Sequence, residues 1–136
     1  MPPIHHPQEN QSNTTRDSIS QAEPKTLRTF TPSQAILARS AGIYHWTLEG
    51  RRLYDFSSGV LVANLGHNPI SWTQRFFHNM GWPASIERVA VAASFPAPGY
   101  FSALPMTAYN AITPVEAEAC RRLLALLHSC PGGKRL

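Results

Sequence analysis

Two side chains near the middle of the chain are of types that move protons or hold cations: Asp55, between Tyr54 and Phe56, and His67, in the run Asn64-Leu65-Gly66-His67-Asn68-Pro69. A carboxylate in that setting is either a catalytic acid or a turn-stabilising group that accepts backbone N–H bonds. The Ser57-Ser58-Gly59 that follows favours the turn. His67 is either a ligand or general base, or a hydrogen-bonded structural histidine. No carboxylate or cysteine stands at ligand spacing beside it, which favours the structural role. His5-His6 is an adjacent pair without further ligands, the pattern of solvated residues. No metal centre and no catalytic residue is expected from this set. Cys120 and Cys130 lie ten positions apart on or just past one helix, badly placed to bond to each other. Two such thiols, with no signal sequence in front of them, fit a reducing cytoplasm.

The elements around these residues follow from local pattern. Residues 43–47 and 52–56 are rich in aromatic and β-branched side chains, and Leu48-Glu49-Gly50-Arg51 between them supplies a turn glycine, so a hairpin is expected over 43–56. Trp46, Leu53 and Phe56 are its natural core side chains. Val60-Leu61-Val62-Ala63 is a short apolar run that fits a buried strand or a segment lining a cleft. Asn68 can cap and Pro69 fits the first turn of a helix over about 69–80, with Trp72, Phe76, Phe77 and Met80 on one face and Gly81 as its stop. Thr31-Pro32-Ser33-Gln34 reads as a capping box for a short helix closed by Gly42, and residues 88–95 as one short strand in a Pro-rich loop. Thr113-Pro114-Val115-Glu116 is a second capping box. It opens a helix whose Ala119, Leu123, Leu124, Leu126 and Leu127 form an apolar face wide enough to be buried.

The N-terminal residues, rich in Pro, Gln, Asn, Ser and Thr, carry almost no large apolar side chains. Ordering a backbone costs roughly 1–2 kcal/mol per residue, so residues 1–30 are expected to form a disordered tail. The formal charge of +4 is spread over short pairs such as Arg51-Arg52 and Arg121-Arg122, with no aromatic-interleaved basic stripe, which argues against nucleic acid as partner. No apolar run approaches the ~20 residues of a membrane span.

Taken in order, Gly42-Ile43-Tyr44-His45-Trp46, Glu49-Gly50-Arg51-Arg52-Leu53-Tyr54-Asp55-Phe56, Ser58-Gly59 and Asn64-Leu65-Gly66-His67-Asn68-Pro69 closely resemble the N-terminal segment of class III pyridoxal-phosphate-dependent aminotransferases. Residues 113–133 resemble that family's next helix. The resemblance implies an α+β fold: a hairpin-plus-helices piece of the small domain of a fold-type I transferase, over residues 31–112, with 113–136 leading to a large α/β domain missing from this chain. It implies a substrate-cleft wall at Ser58, Gly59, Val60 and Leu61, where relatives often carry an aromatic residue that contacts substrate at one of the last two positions. The alternative for Val60 and Leu61 is ordinary core. Pyridoxal phosphate belongs to the parent family and is not expected to bind this chain alone, because Lys25 and Lys134 are its only lysines and neither lies in a desolvating context. A homodimer acting on a small amino donor and an oxo acid is what the resemblance implies for a full-length relative. The two readings carried forward are a truncated aminotransferase, and a non-catalytic interaction module that pairs with itself or with a full-length transaminase.

Overall fold

Gly42 adopts φ +59° and, with Ile43, forms the two-residue turn between β1 (Arg39–Ala41) and β2 (Tyr44–Trp46). A glycine with positive φ at the first of two turn positions suits the right-handed twist of the strands on either side. β3 (Arg52–Tyr54) then returns beside β2, with Gly50 at φ +82° in the connection, so the sheet is antiparallel in the order β1-β2-β3. The registers pair Ser40 with His45 and His45 with Leu53, placing all three on one sheet face. In this computed structural model, residues 2–22, 34–83, 97–105 and 111–130 are described. They form an α+β chain of two compact units, Leu37–Tyr109 and the combination of Met1–Ile36 with Asn110–Leu136.

Within the sheet unit, α2 (Ser58–Leu61) is a single turn and α3 (Ile70–Asn79) a ten-residue helix. The core is small: Ala41, Trp46 and Ala97, with Tyr44 and Tyr100 packed against them. Buried polar cross-links supplement it. Asn68, 3% exposed, donates its side-chain amide to the carbonyls of Ser40, Ala103 and Leu104 at 2.8, 3.2 and 3.3 Å. One side chain thereby ties β1 to the segment 97–105 just before α3 begins. Asn68 is therefore a buried staple and not a helix cap; Pro69 occupies the N-cap position without a side-chain cap bond. Tyr100 lies over Gly66, where an added Cβ would sit 2.7 Å from the ring.

The other unit is built from α1 (Asn10–Ala22) packed against α4 (Pro114–Ser129). The capping box of α4 is complete: Glu116 N–H donates to Thr113 Oγ1 and Thr113 N–H to Glu116 Oε2. Helix α1 corrects the expectation of a disordered tail over residues 10–22. Its inward face is Ser12, Arg16 and Ile19, so composition alone finds one apolar residue where the helix presents a face. The Arg16 guanidinium, fully buried, donates to Gln34 O, Asn13 Oδ1 and Glu9 Oε2 at 2.8, 2.6 and 2.6 Å. Ile19, Ile36 and Ile112 are also fully buried, each burial stabilising by about 1.5–3 kcal/mol.

Other local expectations are overturned by pairing. The helix expected after residue 31 is absent from residues 34–41: Ile36 bridges Ile112 in parallel and Arg39–Ala41 is strand. A helix of one or two turns is marginal by itself, whereas the extended form gains partners on β2 and at Ile112. Residues 60–63 are not a buried strand, since Leu61 closes α2 at 87% exposure and Val62 is 58% exposed. Phe56 is 96% exposed and not core. The apolar face of α4 is largely open, with Leu123 and Leu126 more than half exposed. The strand expected over 88–95 lies outside the described residues. No described helix is long and apolar enough to cross a membrane.

Candidate functional site

The sheet face that carries Ser40 and His45 continues past the end of β3 to Asp55, two residues beyond Leu53 and hence on the same side. Asp55 is held there by its own N–H, which donates to Ile43 O at 2.8 Å. His67 arrives from the other direction. Its backbone exchanges two hydrogen bonds with Gly42, 2.9 and 2.8 Å long, which fixes the bend after Gly66 against the β1–β2 turn. The three side chains meet: His67 Nε2 lies 2.7 Å and His45 Nε2 3.6 Å from the same oxygen, Asp55 Oδ2. The two imidazole rings are 4.5 Å apart, and all three side chains are buried.

The remaining polar atoms of the cluster are also engaged. Ser57 donates to Asp55 Oδ1 from its N–H at 2.8 Å and from Oγ at 2.9 Å, which is the turn role the sequence favours for this carboxylate. Ser40 Oγ lies 2.6 Å from His45 Nδ1 and orients that ring. Burial would raise the Asp55 carboxyl, but hydrogen bonds from His67 and Ser57 outweigh it and hold the pKa at about 2. An ionised carboxylate only accepts, so the proton of the His67–Asp55 bond resides on His67 Nε2. His45 is lowered to about 4, first by burial and then by the neighbouring His67, against the pull of Asp55. At neutral pH its ring is therefore uncharged.

Asp55 also borders an open recess of about 400 Å³ shared with Gly42, Ser58, Asn64, Gly66 and Tyr100. Of the residues expected to form a cleft wall, Ser58, Gly59, Val60 and Leu61 make up α2, and Ser58 reaches this recess. Leu61 is too exposed to be core, and the Val60 side chain lies outside the described set. Ser58 and Leu61 hold φ +49° and +67°, a left-handed conformation that costs a non-glycine residue about 1–2 kcal/mol. The companions of His67 lie 12 and 22 positions upstream, so a search of adjacent sequence misses them. A usable signal was present in the hairpin, whose Gly50 turn puts His45 and Asp55 on one face.

No family model matches the chain, and no solved structure matches it significantly. Three curated relatives match in part, two of them acetylornithine aminotransferases. Over 62 residues, 46% of this chain, it is 29% identical to the mitochondrial acetylornithine aminotransferase of Neurospora crassa, of which the match covers 13%. Over 42 residues, 31% of this chain, it is 43% identical to the acetylornithine aminotransferase of Xanthomonas campestris, of which it covers 10%. Part of this chain is thus similar to a short part of aminotransferases.

Proposed function

We propose that this chain is the N-terminal small-domain segment of a class III, fold-type I aminotransferase that uses pyridoxal phosphate. The observation that carries the reading is the pair of partial matches to acetylornithine aminotransferases, joined to the ordered motif over residues 42–69. In this reading α2 and the recess beside Ser58 form one wall of a substrate cleft. The whole protein is a cytoplasmic homodimer that passes an amino group between a small amine or amino acid and a 2-oxo acid.

The described residues do not fit the cofactor itself. Its chemistry requires a lysine amine, an acid for the pyridine nitrogen and a phosphate cup. The described residues include no lysine, and Asp55 is committed to His67 and Ser57. No catalytic step is assigned to this chain, which in this reading is inactive alone. Its contribution is shape: Tyr100 over Gly66, and α2 beside Asp55, hold the recess open.

Two measurements test the reading. Sequencing the transcript beyond the codon for Leu136 is expected to show a lysine-bearing large domain, in frame or in a neighbouring gene; a transcript without either overturns it. Titration of the purified chain with pyridoxal phosphate is expected to give no saturable near-visible aldimine band, and such a band would overturn the assignment of the amine to another segment.

One observation favours a second reading, the non-catalytic interaction module: Leu123 and Leu126 are 57% and 62% exposed on α4. Size-exclusion chromatography distinguishes it, because a monomer that unfolds cooperatively has no need of a pairing partner.

A further inference from the structure

The geometry points to a site for a single divalent transition-metal ion, of the zinc type, held by His45 Nε2, Asp55 Oδ2 and His67 Nε2. One ligand atom from each of the three residues lies within 4.8 Å of the others. Two imidazoles and a carboxylate are a donor set that zinc accepts, at about 2.0–2.2 Å per bond, which places neighbouring ligand atoms roughly 3.3 Å apart in a tetrahedron. The separations of 2.7 and 3.6 Å around Asp55 Oδ2 straddle that value. A shift of about half an ångström between His67 and Asp55 makes room for the ion.

The surroundings aim these atoms inward. Metal-bound histidines are oriented by a hydrogen bond on their second ring nitrogen, and ligating carboxylates by bonds on their second oxygen. Ser40 Oγ fills the first role for His45, at Nδ1, and leaves Nε2 for the ion. Ser57 fills the second role, occupying Asp55 Oδ1 twice and leaving Oδ2. The backbone bonds between His67 and Gly42 hold the third ligand in register with the sheet. Three protein ligands leave a fourth position, and Asp55 borders the open recess from which water or a small anion can enter. Binding replaces the proton between His67 Nε2 and Asp55, which a neutral ring carries at Nδ1 instead while Nε2 takes the ion. The site makes no use of pyridoxal chemistry, and its failure leaves the aminotransferase reading untouched.

The test uses the full chain, freed of metal by chelation. Titration calorimetry with zinc is expected to show one equivalent bound. Cobalt is expected to give the visible absorption bands of a low-coordinate site. His45→Gln and His67→Gln should each weaken binding at least 100-fold, and Ser40→Ala, acting only through His45, about 10-fold. The double variant His5→Gln with His6→Gln should leave binding unchanged. Far-UV circular dichroism establishes that each variant is folded. Should the ligand variants unfold, the wild-type chain decides: its melting temperature is expected to rise with zinc concentration. Absence of stoichiometric binding, a colourless cobalt adduct, a zinc-independent melting temperature, binding that survives in folded ligand variants, or binding lost with His5 and His6 each overturns the proposal.

Discussion

Among the described residues, each unit holds a buried charged cluster, one centred on a guanidinium and the other on a carboxylate, and the two are built in different ways. In the helical unit the centre is the Arg16 guanidinium, bound by Glu9, Asn13 and the Gln34 carbonyl. In the sheet unit it is a carboxylate, and the groups that face it are two titratable rings and Ser57. The first arrangement surrounds a group that only donates. The second gathers two imidazole nitrogens around one carboxylate oxygen, the donor set of the proposed metal site. Buried charge in itself therefore says little about function; what matters is whether the partners can change state.

The sharpest way to break this contrast is to remove the guanidinium. Arg16→Met leaves the Glu9 carboxylate buried without the guanidinium and is expected to lower stability by about 3–5 kcal/mol in urea denaturation. A loss below about 1 kcal/mol would mean that the helical unit does not depend on its pair.

A smaller effect is expected where backbone shape positions His67. Gly66→Ala combines positive φ with a Cβ 2.7 Å from Tyr100 and should cost about 2–3 kcal/mol. Gly50→Ala, with φ +82° and nothing nearby, should cost only the backbone strain, about 1–2 kcal/mol. Equal losses for the two would show that Tyr100 yields freely.

In the sheet unit, two shifted groups make stability depend on pH. His45 takes a proton near pH 4 when folded and near 6.5 when unfolded, so between these values the unfolded state binds more protons and stability rises with pH. Asp55, at about 2 folded against 3.8 unfolded, acts in the same direction lower down, its contribution present above pH 4 and lost as pH falls towards 2. In chelator, amide exchange of β2 and β3 should accelerate as pH falls from 6.5 to 4, once the intrinsic rate is removed. A pH-independent profile would argue that the His45 ring is solvated. The smallest effect is expected for Leu123→Ser and Leu126→Ser, which should stay within about 0.5 kcal/mol of the parent in stability. A larger loss would mean that these leucines are covered.

What local pattern conveys, it conveys well here. The complete capping box at Thr113 and Glu116 and the turn at Gly50 are visible because each depends on residues within a few positions of one another. The same patterns mislead where a long-range partner competes. Ala35 and Ile36 follow a capping-box signature yet bridge Ile112, and Ala38 donates to Trp46 O of β2, bonds to distant partners that one turn of helix does not offer. Residues 10–22 look too polar to fold because the side chain that anchors them is an arginine, and its partner carbonyl is 18 residues away.

The candidate site divides along the same line. The sequence by itself determined the residue types, the hairpin that puts His45 and Asp55 on one face, and the bend that frees His67 to turn. Only the tertiary structure decided that the three meet, because the backbone bridge between Gly42 and His67 joins positions 25 apart and leaves no periodic trace in the chain. Hydrogen bonds between distant backbone atoms carry no side-chain signature, so the ligand set emerges from the fold and not from spacing.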